Sequence, residues 1–165
     1  MFSALQKLRA WNEEKEWKYQ EAKAHVRFMT TLYKKQIDAK RFFLHEHPAT
    51  ASSWSMEEVK EVARQAEVEI ITADLCMHGM KTEGPGKTQV PANKKTTFMT
   101  NSTSIGKALN KRCDGGHVHQ RLVNGRARGT AEYPPELCRA ICQGLLQAVS
   151  YTHLRAHETR EDRGW

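Results

Sequence analysis

Cysteine and histidine side chains stand close together in two stretches of this sequence. Cys76 and His78 form a C-x-H pair, and Cys113, His117 and His119 form a C-x3-H-x-H stretch. Thiolates and imidazoles are the ligands that tetrahedral Zn²⁺ prefers in proteins, so these five residues define a candidate zinc site. The stretches lack C-x2-C pairs, and a small buried cysteine in a turn plus a polar hairpin explains the same residues. We therefore expect no cofactor, with zinc as the alternative.

Two carboxylates indicate a second kind of metal chemistry. Glu46 and Asp74 each end a short apolar stretch, and Lys94 and Lys95 follow later in the chain. Two strand-end carboxylates and a lysine are the arrangement with which some nucleases bind Mg²⁺ and stabilise charge on phosphate. A magnesium-dependent nuclease-like domain is one hypothesis. The alternative is that the carboxylates cap neighbouring backbone groups or face water.

Basic side chains are concentrated in the second half of the chain. Residues 81–149 hold 11 Lys and Arg against 4 Asp and Glu, whereas residues 42–80 hold 2 against 7, within a net charge of +7. Such a basic surface can follow nucleic-acid phosphates with an affinity that falls with salt. A solvated surface without a ligand is the alternative. The candidate nucleic-acid-binding residues are Lys94, Lys95, Lys107, Lys111, Arg112, Arg121, Arg126 and Arg128.

The elements that must position these side chains begin with a helix. Residues 3–41 contain neither Gly nor Pro, and apolar residues recur at helical spacing at Val26, Met29, Tyr33 and Ile37. This pattern predicts an N-terminal helical segment over residues 1–40.

Two strands with a helix between them are predicted next. Residues 41–48 and 68–75 are short apolar stretches that end in polar groups, and the intervening Ser55-x-x-Glu58 predicts a capping box that opens a helix of about three turns. A strand, helix and strand favour parallel pairing, so Glu46 and Asp74 are expected on one rim of the sheet. The fold class predicted is α/β, with a partial, incomplete Rossmann-like sheet, a long N-terminal helix and flanking helices.

The remaining sequence alternates loops with short elements. Residues 81–95 are rich in Gly, Pro and Lys and predict a loop, residues 96–100 predict a strand, and residues 104–112 predict a helix. Pro134 and Pro135 open a final helix with Leu137, Ile141, Leu145 and Ala148 on one face. Cys138 and Cys142, one turn apart on it, are expected in the core.

The composition excludes a membrane-spanning protein. No stretch approaches about 18 consecutive apolar residues, and residues 1–17 carry charges where a signal peptide would be apolar. A cytoplasmic or nuclear location without a membrane partner is therefore expected, with reduced thiols.

Five stretches together resemble a segment of copia-type retrotransposon (retroelement Pol) polyproteins, and their order is similar to the C-terminal half of a class I methyltransferase-like fold. They are RFFLHEHPATASSW (41–54), ADLCMHGM (73–80), KKTTFMTNS (94–102), RCDGGHVHQRLVNGRA (112–127) and YPPELCRAI (133–141). The resemblance covers roughly residues 28–146. It implies a partial α/β domain over residues 41–149 and, as a partner, the rest of the parent polyprotein.

The resemblance also implies roles for individual residues. Glu46 and Pro48 occupy the positions of an E-N-P-like tripeptide that contacts the group to be methylated, His47 stands where Asn is usual, and Trp54 matches the Trp that follows. The Gly-rich turn that would bind S-adenosylmethionine is absent, since the first Gly of the chain is Gly79. We therefore expect no independent catalysis and, at most, weak nucleic-acid binding.

The candidate catalytic residues are accordingly Glu46, His47 and Asp74, and none is assigned a step. A zinc-stabilised nucleic-acid-binding module is the alternative function, and the nuclease is the third. The last stretch, SYTHLRAHETREDRGW (150–165), resembles translated sequencing-adapter sequence and is expected to be a non-native tail.

Overall fold

The computed structural model describes residues 12–123 and 126–161. The chain forms two compact units, the first from residues 1–70 and 96–101, the second from residues 71–95 and 102–165. The described elements include helices and strands, which confirms the general α/β class. Four α-helices are α1 (Glu13–Asp38), α2 (Glu57–Ala63), α3 (Thr103–Leu109) and α4 (Pro135–Glu161). Five strands are β1 (Leu44–Pro48), β2 (Glu69–Asp74), β3 (Lys81–Glu83), β4 (Gln89–Pro91) and β5 (Lys95–Thr100).

Helix α1 confirms the predicted long N-terminal helix, and residues 1–11 of that prediction lie outside the described residues. Asn12 caps it, because its side-chain oxygen accepts a hydrogen bond from the Lys15 N–H at 3.0 Å. The buried positions are Val26, Thr30, Tyr33 and Ile37, a stripe at helical spacing that forms the core of the first unit with residues such as Phe43 and Met99.

The main sheet differs from the predicted one in its strand order, which is β1-β5-β2. Strand β1 pairs with β5 in antiparallel register, from Leu44 opposite Thr100 to Pro48 opposite Thr96. The expectation that β1 and β2 are parallel neighbours is therefore wrong, since β5 lies between them in the sheet. The chain has the predicted general α/β class, but its strand order does not indicate a Rossmann-like sheet.

Helix α2 is shorter than predicted and begins without the expected capping box. Ser55 belongs to a preceding 3₁₀ helix, Ser52–Ser55, and its hydroxyl donates to the Ser52 carbonyl at 2.7 Å. Glu58 accepts a hydrogen bond from Arg27 of α1 at 2.7 Å instead of turning back to the helix start. The predicted capping box is therefore wrong, and Met56 precedes the first residue of α2 without a side-chain cap.

The second unit contains a hairpin where the sequence predicted only a loop. Strands β3 and β4 pair in antiparallel register, from Lys81 opposite Pro91 to Glu83 opposite Gln89. The Gly84 N–H donates to the Thr88 carbonyl at 2.8 Å and closes the turn. This hairpin leads into β5 and carries a carbonyl that contacts the candidate site described below.

Helices α3 and α4 make the main helix contact of the second unit. A Cβ added at Gly144 of α4 would lie 2.7 Å from the Cα of Ile105 of α3, so the two backbones approach where only glycine fits. The buried stripe of α4 runs through Leu137, Ala140, Gly144 and Ala148, whereas Leu145 is 44% exposed. The predicted face was therefore partly wrong.

The two cysteines of α4 also lie elsewhere than predicted. Cys138 and Cys142 are both exposed, so the expectation that they belong to the core is wrong. The backbone of α4 continues to Glu161, and residues 162–165 lie outside the described residues. The non-native origin of residues 150–165 stays a prediction.

Candidate metal centre

Four of the five predicted zinc ligands come together in the second unit. One ligand atom from each of Cys76, Cys113, His117 and His119 lies within 4.8 Å of each of the others. Among the residues described by the structure, this is the one group of three or more Cys, His, Asp or Glu side chains placed to share a metal ion. All four side chains are partly buried, which keeps a bound ion partly shielded from water.

The distances within this cluster match those of a tetrahedral zinc site. Cys113 Sγ lies 3.7 Å from His117 Nε2 and 3.5 Å from His119 Nε2, and Cys76 Sγ lies 3.3 Å from His119 Nε2. Bond lengths of about 2.3 Å to sulfur and about 2.0 Å to nitrogen place tetrahedral S and N ligands about 3.5 Å apart. These three separations are therefore those of ligands that share one ion, and every other pair of ligand atoms in the cluster lies within 4.8 Å.

Cys76 reaches the cluster because β2 ends at Asp74, two residues before it. The chain turns after Asp74 into a 3₁₀ helix, Leu75–His78, and Gly79 closes that turn with a φ of +83°. The Leu75 N–H donates to the Lys94 carbonyl at 3.2 Å, and the Met80 N–H donates back to the Leu75 carbonyl at 2.9 Å. These bonds hold the turn that presents the Cys76 thiol.

The other three ligands belong to an irregular segment, residues 110–123, that lacks helix and strand. Backbone bonds hold it near both ends, since the Cys113 N–H donates to Asp74 Oδ2 at 3.0 Å and the Gln120 N–H donates to the Pro91 carbonyl at 2.9 Å. The Gly115 N–H points at Cys113 Sγ at 3.4 Å, with a Gly115 φ of +82° that favours glycine. Such an N–H stabilises a thiolate.

The electrostatics of this cluster centre on the Cys76 thiol and the Asp74 carboxylate. Burial raises the pKa of the Cys76 thiol to about 11, and the neighbouring Cys113 and Asp74 act in the same direction. Burial would also raise the pKa of Asp74, but the Cys113 N–H and the Arg112 guanidinium outweigh it and bring that pKa below its usual value. Asp74 is therefore ionised beside two thiols, a local arrangement that a divalent cation would compensate.

His78, the fifth predicted ligand, lies outside the cluster. Its side chain is 1% exposed, and Nε2 is hydrogen-bonded to the Leu109 carbonyl at 3.2 Å. Burial lowers the pKa of His78, so the ring is neutral near pH 7. Of the predicted C-x-H pair, Cys76 therefore belongs to the cluster and His78 belongs to the core.

The carboxylates proposed for a magnesium site belong to no group of three or more Cys, His, Asp or Glu ligands among the described residues. Asp74 Oδ2 accepts hydrogen bonds from Arg112 Nε at 2.8 Å and from the Cys113 N–H. Glu46 lies in β1, and β5 stands between β1 and β2. The nuclease hypothesis therefore stays a prediction.

The tripeptide region of the resemblance forms a compact group in the first unit. Trp54 Nε1 donates to the Pro48 carbonyl at 3.0 Å, and His47 Nδ1 is hydrogen-bonded to the hydroxyl of Ser53, which is fully buried. The His47 ring is thus tied to the protein, and burial lowers its pKa. Glu46 stays partly exposed on the same strand.

A buried histidine that the sequence interpretation missed lies beside this group. His45 is 9% exposed, its Nδ1 is hydrogen-bonded to the Tyr33 hydroxyl at 2.9 Å, and its Nε2 is buried without a hydrogen-bond partner. Burial, and secondarily the positive charge that His47 can carry, lowers the pKa of His45 to about 4. The sequence did contain a signal for this burial. Successive side chains of a strand point to opposite faces, so His45 lies on the same face as Phe43, two residues before it.

The basic residues proposed for nucleic-acid binding fall into three groups. Lys94 and Arg112 make structural contacts, because Lys94 Nζ donates to the Thr130 carbonyl at 3.0 Å and Arg112 pairs with Asp74. The side chains of Arg126 and Arg128 lie outside the described part of the structure. The exposed remainder consists of Lys95, Lys107, Lys111 and Arg121.

Comparisons of the chain with protein-family models, with curated proteins and with solved structures give no match. No helix among the described residues combines the length and the apolar character needed to cross a membrane.

Proposed function

We propose that this chain is a zinc-stabilised α/β module in which Cys76, Cys113, His117 and His119 bind one structural Zn²⁺. The observation that supports this most is the mutual distance of the four ligand atoms, all within 4.8 Å. The two thiols and two imidazoles come from two separate parts of the second unit, so a shared ion would cross-link them.

The ligand set favours zinc over other divalent ions and a structural over a catalytic role. Two thiolates and two imidazoles suit Zn²⁺, whereas Mg²⁺ and Ca²⁺ take oxygen ligands. A catalytic zinc keeps one coordination position for water or substrate and has three protein ligands, but this cluster offers four. The ion would fix the irregular segment 110–123 to the end of β2.

Metal content and thermal unfolding of the full chain test this proposal. Elemental analysis of protein purified without chelator is expected to give one zinc per chain, and a strong chelator is expected to lower the unfolding temperature reversibly. A protein without stoichiometric zinc, whose unfolding temperature responds to neither zinc nor chelator, would contradict it.

Nucleic acid is the partner that we propose for this module. Residues 81–123 carry eight Lys and Arg against two Asp and Glu, and exposed Lys111 and Arg121 stand two residues from the ligands Cys113 and His119. An affinity for duplex DNA or single-stranded RNA that falls steeply with salt is expected, and Lys111→Gln with Arg121→Gln is expected to reduce the salt dependence. Equal binding at low and high salt would argue against a phosphate contact.

The retroelement origin and the methyltransferase-like half domain stay proposals. What supports them is the order of the five sequence stretches, together with the contact between Trp54 and Pro48 in the tripeptide region. A half domain without the cofactor turn predicts that the chain has no independent methyltransferase activity. Calorimetry with S-adenosylmethionine checks this, because micromolar binding would contradict the missing cofactor half.

A further inference from the structure

Asp74 is the residue that connects the two halves of the candidate metal centre. It ends β2 two residues before Cys76, and three hydrogen bonds join it to three consecutive residues of the other half. Its N–H donates to the Lys111 carbonyl at 3.0 Å, and its Oδ2 accepts from Arg112 Nε at 2.8 Å and from the Cys113 N–H at 3.0 Å. One buried residue thus holds the backbone that carries Cys113.

These contacts are unequal in what they can do for the site. The Arg112 side chain is 55% exposed, so water screens its ion pair with Asp74. The Asp74 side chain is 3% exposed, and the Cys113 N–H is a backbone donor whose acceptor is that buried carboxylate. A hydrogen bond to an ionised acceptor is stronger away from water, and the Cys113 donor belongs to the backbone, so this bond is the one that fixes the position of Cys113.

The segment 110–123 depends on such anchors because it has no helix or strand of its own. The Gln120 N–H bond to the Pro91 carbonyl fixes the end near His119, and Asp74 fixes the end at Cys113. Without the carboxylate, the backbone bond from the Asp74 N–H to the Lys111 carbonyl would remain at this end, but it does not hold Cys113 itself.

We propose that Asp74 is a positioning residue of the metal centre, whose carboxylate holds Cys113 at the distance from Cys76 at which all four ligands can share one ion. This inference rests on the proposed zinc site. The same carboxylate leaves Oδ1 buried without a hydrogen-bond partner, a cost that a residue kept only for packing would not carry.

The test compares two substitutions at Asp74 in the full chain. Asp74→Asn keeps an oxygen that can accept the Cys113 N–H, and Asp74→Leu removes the acceptor while keeping the same branched heavy-atom skeleton. Arg112→Gln removes the ion pair alone, and Asp38→Asn removes an exposed carboxylate in the first unit as a control. Zinc affinity is measured by competition with a chelating dye, and Co²⁺ absorption in the visible range reports the coordination geometry.

The expected result is a graded loss of affinity. Substitutions of residues that orient metal ligands reduce metal affinity by about 10–100-fold. We expect a loss of about 10-fold for Asp74→Asn and about 100-fold for Asp74→Leu, and no change in affinity for Asp38→Asn. Arg112→Gln should lose less than Asp74→Asn. The Co²⁺ spectrum of Asp74→Leu should lose intensity, because one thiolate no longer reaches the ion.

The outcomes separate this inference from the zinc site itself. If the unsubstituted chain binds neither Zn²⁺ nor Co²⁺, the zinc site is wrong. If it binds both, and Asp74→Asn and Asp74→Leu bind with the same affinity and spectrum while only their unfolding temperatures fall, Asp74 has a merely structural role and the positioning inference is overturned. Should Asp74→Leu fail to fold, Asp74→Asn alone decides, and unchanged zinc affinity there overturns the inference.

Discussion

Cys76 Sγ lies 3.3 Å from His119 Nε2 although 43 positions separate the two residues in the chain. A metal ion between them would close a long loop of the chain. Closing such a loop removes conformational freedom from the unfolded chain, so the free energy of metal binding also becomes free energy of folding.

Removal of one thiol tests this coupling. Cys113→Ser is expected to abolish the stabilisation by zinc, because Cys113 lies within reach of both histidines. At a free zinc concentration about 100 times Kd, binding adds about 2.7 kcal/mol to the free energy of unfolding, or roughly 5–10 °C in Tm. Cys138→Ser is the matched control, since Cys138 is exposed on α4 and outside the cluster. An equal zinc response in both variants would exclude the site.

The site was predictable in part. Cys113, His117 and His119 stand within seven residues, so their types and spacing named three ligands from the sequence. Cys76 and His78 appeared equivalent, because a C-x-H pair does not tell which side chain faces the core. The structure separates them through the carbonyl of Leu109, 31 positions from His78, and no local pattern contains that contact.

His78 should therefore affect stability and leave metal binding intact. In His78→Leu the Leu109 carbonyl loses the imidazole donor but keeps the Lys111 N–H at 2.7 Å, so we expect a cost of about 0.5–1.5 kcal/mol of unfolding free energy in both the zinc-loaded and the metal-free protein. Zinc stoichiometry and affinity should not change. His117→Leu provides the contrast, because it removes a ligand. Loss of stoichiometric zinc in His78→Leu would show that His78 is a ligand after all.

The helices of the fold were likewise predictable from local sequence, whereas the pairing of its strands was not. The absence of Gly and Pro and the helical spacing of Val26, Tyr33 and Ile37 predicted α1, and two prolines predicted the start of α4. The strand order could not be derived locally, since β1 pairs with a strand more than 40 residues later. The hairpin of β3 and β4 was missed because each strand has three residues and the turn residues between them dominate the pattern.

The contact of α3 with α4 predicts a cost for the smallest substitution at Gly144. Alanine would gain about 1 kcal/mol in helix propensity, but its Cβ would lie 2.7 Å from Ile105 Cα and 3.1 Å from Ser104 O. Backbone atoms cannot rotate away as a side chain can, so overpacking of about 1–3 kcal/mol should outweigh the gain. Gly144→Ala is therefore expected to unfold at lower denaturant concentration.

Gly129→Ala is the matched control for this experiment, because a Cβ at Gly129 meets no atom within 4 Å. Its effect should stay within about 0.5 kcal/mol of zero. A Gly144→Ala protein that is as stable as Gly129→Ala would show that α3 and α4 do not approach each other at this point.

The buried ring of His45 predicts that acid destabilises the first unit. Its pKa is lowered to about 4 in the folded protein and lies near 6.5 in the unfolded chain, because burial beside Tyr33, His47 and Trp54 disfavours the charged ring. Between these values the unfolded state binds a proton that the folded state does not. Above about pH 6.5 the ring is neutral in both states and does not lower the free energy of unfolding. As the pH falls towards 4, the free energy of unfolding declines by about 3 kcal/mol in total, of which about 2 kcal/mol is lost by about pH 5.

His47, with its lowered pKa, also titrates in this range, so the measurement must isolate His45. His45→Gln removes the titrating ring, and denaturant unfolding of both proteins in chelator from about pH 5 to 7.5 gives the difference attributable to it. The unsubstituted chain should lose about 2 kcal/mol more than His45→Gln over that interval. NMR titration of the His45 ring provides the independent value, and parallel pH profiles or a ring pKa near 6.5 would contradict a buried, neutral His45.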